Sequence, residues 1–95
     1  MRYLYKKRFL EAFDSLSVKD QALVREADRE IRAYHDRQRA PVGLRIKKLL
    51  QAGDQAVYEA RPSLALRMIW AESGSLAAFL LLGSHDEVRR LLRRL

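Results

Sequence analysis

The chain has no cysteine, which removes disulfide bridging and thiolate chemistry from its repertoire. That composition suits a cytoplasmic protein. Only two histidines are present, His35 and His85, far apart and without a compact carboxylate motif. A dedicated metal site is therefore not expected, and no cofactor is implied. No Gly-, Ser- or Pro-rich tract divides the 95 residues, and neither an internal repeat nor a low-complexity segment is found. A single domain over 1–95 is expected. The longest apolar run, Leu76 to Leu82, is too short to cross a membrane as a helix. The first 16 residues do not read as a signal sequence, because Arg2, Lys6, Lys7 and Arg8 interrupt them and Glu11 and Asp14 follow.

What is abundant is positive charge. Nineteen Lys and Arg against twelve Asp and Glu leave a formal net charge of +7. Arginine outnumbers lysine, which favours forked contacts to phosphate. The basic residues gather at Arg2 to Arg8, Arg37 to Lys48 and Arg89 to Arg94. Nucleic acid, or an acidic protein covering the same surface, fits that distribution. A hydrophobic content of 48% is enough to build one modest core.

Periodicity supplies the elements. Residues 2–7 alternate as a first strand carrying Tyr3 and Tyr5. Phe9, Phe13 and Leu16 then recur at helical spacing. Ser17 is placed to cap a second helix, with Asp20 three positions on and Leu23, Ala27, Ile31 and Tyr34 along one face. Pro41 ends that helix at the latest. Val42 to Leu50 reads as a connection with room for a short helical turn, and Gly53-Asp54 as a turn. Three strands follow at Ala56–Arg61, Leu64–Ala71 and Leu76–Leu82, forming an antiparallel meander. Ser84 and Glu87 bracket the start of a last helix, docked by Val88, Leu91, Leu92 and Leu95. The sum is an α+β domain whose helices cover one face of an antiparallel sheet, leaving the other face open. His35, near the end of the second helix, reads as an ordinary surface residue.

Charges inside the strands are the functional signal, because a charge there must be exposed, paired or used. Alternation puts Val57, Glu59 and Arg61 on one face of their strand and Arg67, Ile69 and Ala71 together on the next. The larger apolar set, Leu66, Met68 and Trp70, faces the helices. Arg67 is then expected on the open face, with Glu59 and Arg61 beside it if the register agrees. The structural account is a cross-strand Glu–Arg pair. The chemical account adds His85 at the first turn of a helix, where free backbone donors hold a phosphate and an imidazole can exchange a proton. Without that chemistry, His85 is a turn residue packed at the helix start.

An RNA-cleaving site is chemically economical, since the ribose 2′-hydroxyl supplies an internal nucleophile. Glu59 or His85 can withdraw its proton, Arg67 and Arg61 can neutralise the pentavalent phosphate, and His85 can protonate the leaving 5′ oxygen. Arg45, Lys47, Lys48, Arg61, Arg89 and Arg90 are the candidates for holding the RNA backbone. Lys47 and Lys48 suit backbone contacts better than chemistry.

The strings VYEAR, LRMIW and LLLGSHDEVRRLL, with PVGLRIKKL and the helical pair before them, resemble the RelE/ParE superfamily of toxins from type II toxin–antitoxin pairs. The resemblance spans almost the whole chain and rests on the order of these features. It implies a curved antiparallel sheet, a cognate antitoxin partner, and one of two activities. The RelE-like branch includes ribosome-dependent ribonucleases that cut mRNA, and the ParE-like branch includes DNA gyrase inhibitors. A toxin fold that has lost its activity and retains only partner binding is a further alternative. By resemblance Arg67 takes the place of a recurrent strand arginine, and His85 that of a catalytic residue near the last helix. Glu59 gives a Glu-Arg-His set like that of YoeB-type enzymes. The last helix departs from the pattern in lacking the aromatic residue that frequently follows this histidine, with Arg89 in that neighbourhood.

Overall fold

The computed structural model describes residues 1–37 and 43–94. The chain opens with β1 (Arg2–Tyr5), then α1 (Lys7–Asp14) and α2 (Val18–Arg37), followed by β2 (Lys47–Ala52), β3 (Gln55–Ala60), β4 (Arg67–Ser73), β5 (Leu76–Gly83) and α3 (His85–Leu92). The five strands lie in the order β1-β5-β4-β3-β2. Strands β2 to β5 form the expected antiparallel meander, and β1 joins its edge parallel to β5. The parallel pairing follows from the two helices, which carry the chain away before the meander begins.

Local chemistry explains most of the boundaries. The Ser17 hydroxyl accepts from the Asp20 backbone N–H at 3.1 Å and starts α2. Gly53, at φ +62°, makes the β2–β3 turn, and Gly74, at φ +58°, makes the β4–β5 turn; both occupy the left-handed region that glycine enters without strain. Ser84 and Glu87 close a reciprocal capping box at the head of α3. Glu87 thereby folds over Gly83, where a Cβ would stand 2.8 Å from Glu87 Oε1.

Two expectations are corrected. The stretch read as a connection with a helical turn contains strand β2, because Lys47 to Ala52 pairs with β3 through a bulge between Lys48 and Leu50. Its short, half-exposed pattern hid the alternation. The proline expected to end α2 lies outside the described residues. The second correction concerns the sheet's far face, which is not left open. Val88, Leu91 and Leu92 of α3 pack there with Val57, Ile69, Ala71 and Leu81.

The main core lies on the other face, where α1 and α2 bring Phe9, Val24, Ala27 and Ile31 onto Met68, Trp70, Ala77 and Phe79. Its centre is aromatic. Tyr5 stacks on Phe79 at 4.9 Å, while Phe9 and Trp70 meet the same ring at 5.5 and 5.6 Å. A bulge in β5 opposite Ile69 and Trp70 turns Leu81 towards α3, while Phe79 and Leu82 face the helices. One sheet thus carries two unequal cores, and Glu59 and Arg67 lie on the side of the smaller one.

Candidate functional site

Strand register brings Glu59 and Arg67 together. Glu59 stands opposite Ile69 in the β3–β4 pair, two residues along β4 from Arg67. That places the two side chains as diagonal neighbours on one face. Arg67 Nη1 donates to Glu59 Oε1 at 3.0 Å, with side-chain exposures of 17% and 6%. Glu59 is the one buried charged residue of the described core. A carboxylate this far from water is stable only with its partner in place.

The pair leaves a donor over. Arg67 Nε is buried and has no hydrogen-bond partner among the described residues, and the same is true of Arg61 Nε. An unsatisfied buried donor costs about 1–3 kcal/mol. Arg61 does not join the Glu59–Arg67 pair. It follows the end of β3, where its backbone N–H donates to the Leu44 carbonyl at 2.8 Å and Nη2 makes a long 3.5 Å contact to the Leu64 carbonyl. Its side chain lines a cavity of about 220 Å3 with Gly43, Arg45, Pro62, Ser63 and Leu64. Arg45 there is the one non-glycine residue of the described chain with positive φ, at 52°. Backbone strain of that kind recurs at ligand-holding loops.

His85 is the first residue of α3 and is exposed. Gly83, two residues earlier, pairs directly with Arg67. The register therefore brings the head of α3 to the strand end that carries Arg67. No hydrogen bond or ion pair joins His85 to Glu59 or Arg67 among the described residues. Lys47 stands opposite Glu59 on β2, exposed like Lys48. Arg89 and Arg90 lie on the outer side of α3, where with Asp86 and Arg93 they line a cavity of about 230 Å3.

His35 is not an ordinary surface residue. Its side chain is only 6% exposed and lies between two partners. Nδ1 is 2.9 Å from the Tyr3 hydroxyl, and Nε2 is 2.9 Å from Glu72 Oε2. The Trp70 indole N–H donates to that same oxygen at 2.8 Å. Each of these residues stands on a different element or strand position. Sequence spacing alone could not assemble them; the alternation that puts Glu72 on the face of Met68 and Trp70 was the available signal.

The architecture defines the class. The fold is that of the RelE/ParE-like toxins. Among solved structures, the chain is similar to one in the archaeal RelE–RelB complex from Pyrococcus horikoshii, with a TM-score of 0.69 and 25% identity over 87% of this chain and 92% of that one. It is also similar to a copper-bound mutant toxin from Helicobacter pylori, with a TM-score of 0.70 and 19% identity, covering 93% of this chain and 98% of that one. A YoeB/ParE toxin from Agrobacterium tumefaciens superposes with a TM-score of 0.63 and 18% identity over 90% of this chain and 99% of that one. No protein-family model and no curated protein matches the sequence.

Proposed function

We propose that this protein is the toxin of a toxin–antitoxin pair and acts as a ribosome-dependent mRNA endoribonuclease, neutralised by a cognate antitoxin. The observation that carries the reading is the buried Glu59–Arg67 pair with an unsatisfied guanidinium N–H beside it. A phosphate that draws the Arg67 side chain outward from Glu59 would give that N–H an acceptor. The fold shared with a chain of the RelE–RelB complex supports both the toxin role and an antitoxin partner.

The bond exchange can be written with the RNA and this chain, the ribosome presenting the mRNA. A scissile phosphate competes with Glu59 for Arg67 and frees the carboxylate to accept the 2′-hydroxyl proton. The 2′ oxygen forms its bond to phosphorus as the bond to the 5′ oxygen breaks, with Arg67 balancing the charge on the phosphoryl oxygens. His85 delivers a proton to the leaving oxygen; alternatively it takes the first proton itself and water protonates the leaving oxygen. The products are a 2′,3′-cyclic phosphate, or its opened form, and a 5′-hydroxyl. Arg45 and Arg61 form a neighbouring phosphate subsite, while Lys47, Lys48, Arg89 and Arg90 hold the backbone farther out.

Primer extension on cellular mRNA after brief induction tests this. Codon-phased cuts are expected with the intact protein and not with Arg67→Ala or His85→Ala. Uncut mRNA in cells whose translation has stopped would refute it. A second reading, inhibition of DNA gyrase by protein contact, is favoured by the exposure of His85 and by the lack of any hydrogen bond from it to Glu59 or Arg67 among the described residues. Loss of supercoiling without RNA cleavage would select that reading.

A further inference from the structure

The Tyr3–His35–Glu72–Trp70 network takes no part in the RNA-cleaving reading. It lies on the helix-bearing face, towards the end of β4 away from Arg67. Glu72 is five residues beyond Arg67, roughly 17 Å along an extended strand. Its neighbours Tyr34, His35, Tyr58 and Met1 complete a cavity of about 420 Å3.

The hydrogen bonds dictate how the carboxylate is presented. Trp70 Nε1 can only donate and ionised Glu72 can only accept, so the N–H of His35 Nε2 must also point at Glu72. His35 Nδ1 then accepts from the Tyr3 hydroxyl in the neutral ring, or donates to its oxygen in the charged ring. Either way Oε2 is held by two donors. Oε1 makes no hydrogen bond among the described residues, yet Glu72 lines the cavity and is 22% exposed. Tyr58 is fixed by stacking on Trp70 at 5.7 Å, with 19° between the rings.

Carboxylates gather around this network, with Arg32 among them. Asp36, Asp28 and Glu72 all act to raise the Tyr3 phenol, after burial, with Arg32 alone opposing them. Burial first, then Glu72 and Tyr34, likewise raise Tyr58. Arg32 already lies over the Tyr3 ring at 4.2 Å, so this aromatic group accepts a guanidinium within the fold itself. A rigid carboxylate framed by tyrosine rings repels phosphate and suits a flat, weakly hydrated cation.

We infer that the cavity bounded by Tyr34, His35, Tyr58 and Glu72 binds a guanidinium group, carried by free arginine or by an arginine side chain of a protein partner. The guanidinium donates to the free Glu72 Oε1 while its planar face lies against tyrosine. This site stands whether or not RNA is cut.

NMR titration of the intact protein tests the assignment, with the indole N–H of Trp70, the sole tryptophan, as a local reporter. The probes are N-acetyl-arginine amide, free arginine, N-acetyl-lysine amide and guanosine monophosphate. Saturable shifts are expected with a guanidine probe. Equal binding of the blocked and free forms identifies a side chain as sufficient, and binding of free arginine alone identifies the amino acid. Glu72→Gln keeps an acceptor for His35 and Trp70 but loses the charge, and should weaken binding about tenfold or more, as should Tyr34→Ala. Thermal melts of both variants separate loss of the site from loss of the fold. No saturable shift with either guanidine, equal binding of the lysine probe, tighter binding of the nucleotide, or wild-type binding by folded Glu72→Gln would each overturn the proposal.

Discussion

Arg67 donates to Glu59 across the β3–β4 pair at 3.0 Å, from a site almost closed to solvent on both sides of the contact. The pair is a structural liability as much as a chemical resource, because either charge alone would be stranded on the smaller core. Arg67→Ala should therefore destabilise the protein by about 3–5 kcal/mol in urea unfolding. The apolar double variant Glu59→Leu/Arg67→Met should lose much less. An Arg67→Ala protein within about 1 kcal/mol of wild type would show that water reaches the carboxylate more freely than the packing indicates.

His85 gives the opposite pattern. It is exposed and unbonded among the described residues, so His85→Ala should leave the melting temperature nearly unchanged. If it supplies a catalytic proton, mRNA cutting should fall by about two orders of magnitude or more. Retained cleavage would remove His85 from the chemistry and leave it as a turn residue.

Arg45 and Arg61 should be distinguishable from the Glu59–Arg67 pair by salt. For single-stranded RNA, removing one arginine–phosphate interaction flattens the slope of log affinity against log salt by about 0.7. Arg45→Ala and Arg61→Ala should each show that change in a binding titration. An unchanged slope would mean that their cavity does not hold phosphate.

Tyr5 makes stability sensitive to alkali. Burial, then its hydrogen bond to Asp28, push its phenol up from 10.0 to about 12. The folded state therefore retains a proton that the unfolded chain releases. This contribution is complete below pH 10.0 and is lost as pH rises through about 12. Denaturant midpoints should fall over that interval, and less steeply in Tyr5→Phe. A residual decline is expected from Tyr3 and Tyr58, whose phenols are also raised.

Ser84→Ala should cost about 1 kcal/mol by opening one arm of the capping box. Its effect on RNA cutting should exceed its effect on stability, because the same cap sets where His85 begins. Equal small losses in both measurements would separate helix capping from the site.

Much of this molecule was legible where period and local chemistry agreed. The two helices, the Ser17 and Ser84 caps and the glycine turn at Gly53 all follow from short-range pattern, whereas the face shared by Glu59 and Arg67 also needed the β3–β4 register. Strand β2 was hidden because Lys47 and Lys48 begin it and a bulge breaks its alternation. The bulge in β5 likewise turns Leu81 against the parity set by Phe79, which sequence cannot signal. The covered far face required knowing where α3 folds back. His35 was missed for another reason: its partners Tyr3 and Glu72 are separated from it by 32 and 37 residues. A lone histidine carries no mark of such company.

The corner where Gly83 passes under Glu87 joins the last strand to the last helix, and a Cβ there would first meet the carboxylate end of Glu87. If the proposed RNA cleavage holds, selection for cells that survive its expression has an escape route here that touches no proton-transfer group. Replacing this hydrogen with a methyl would push the Glu87 carboxylate off the Ser84 backbone N–H and open that arm of the capping box while the sheet stayed intact. Survivors sequenced from such a screen should therefore include changes at the corner itself.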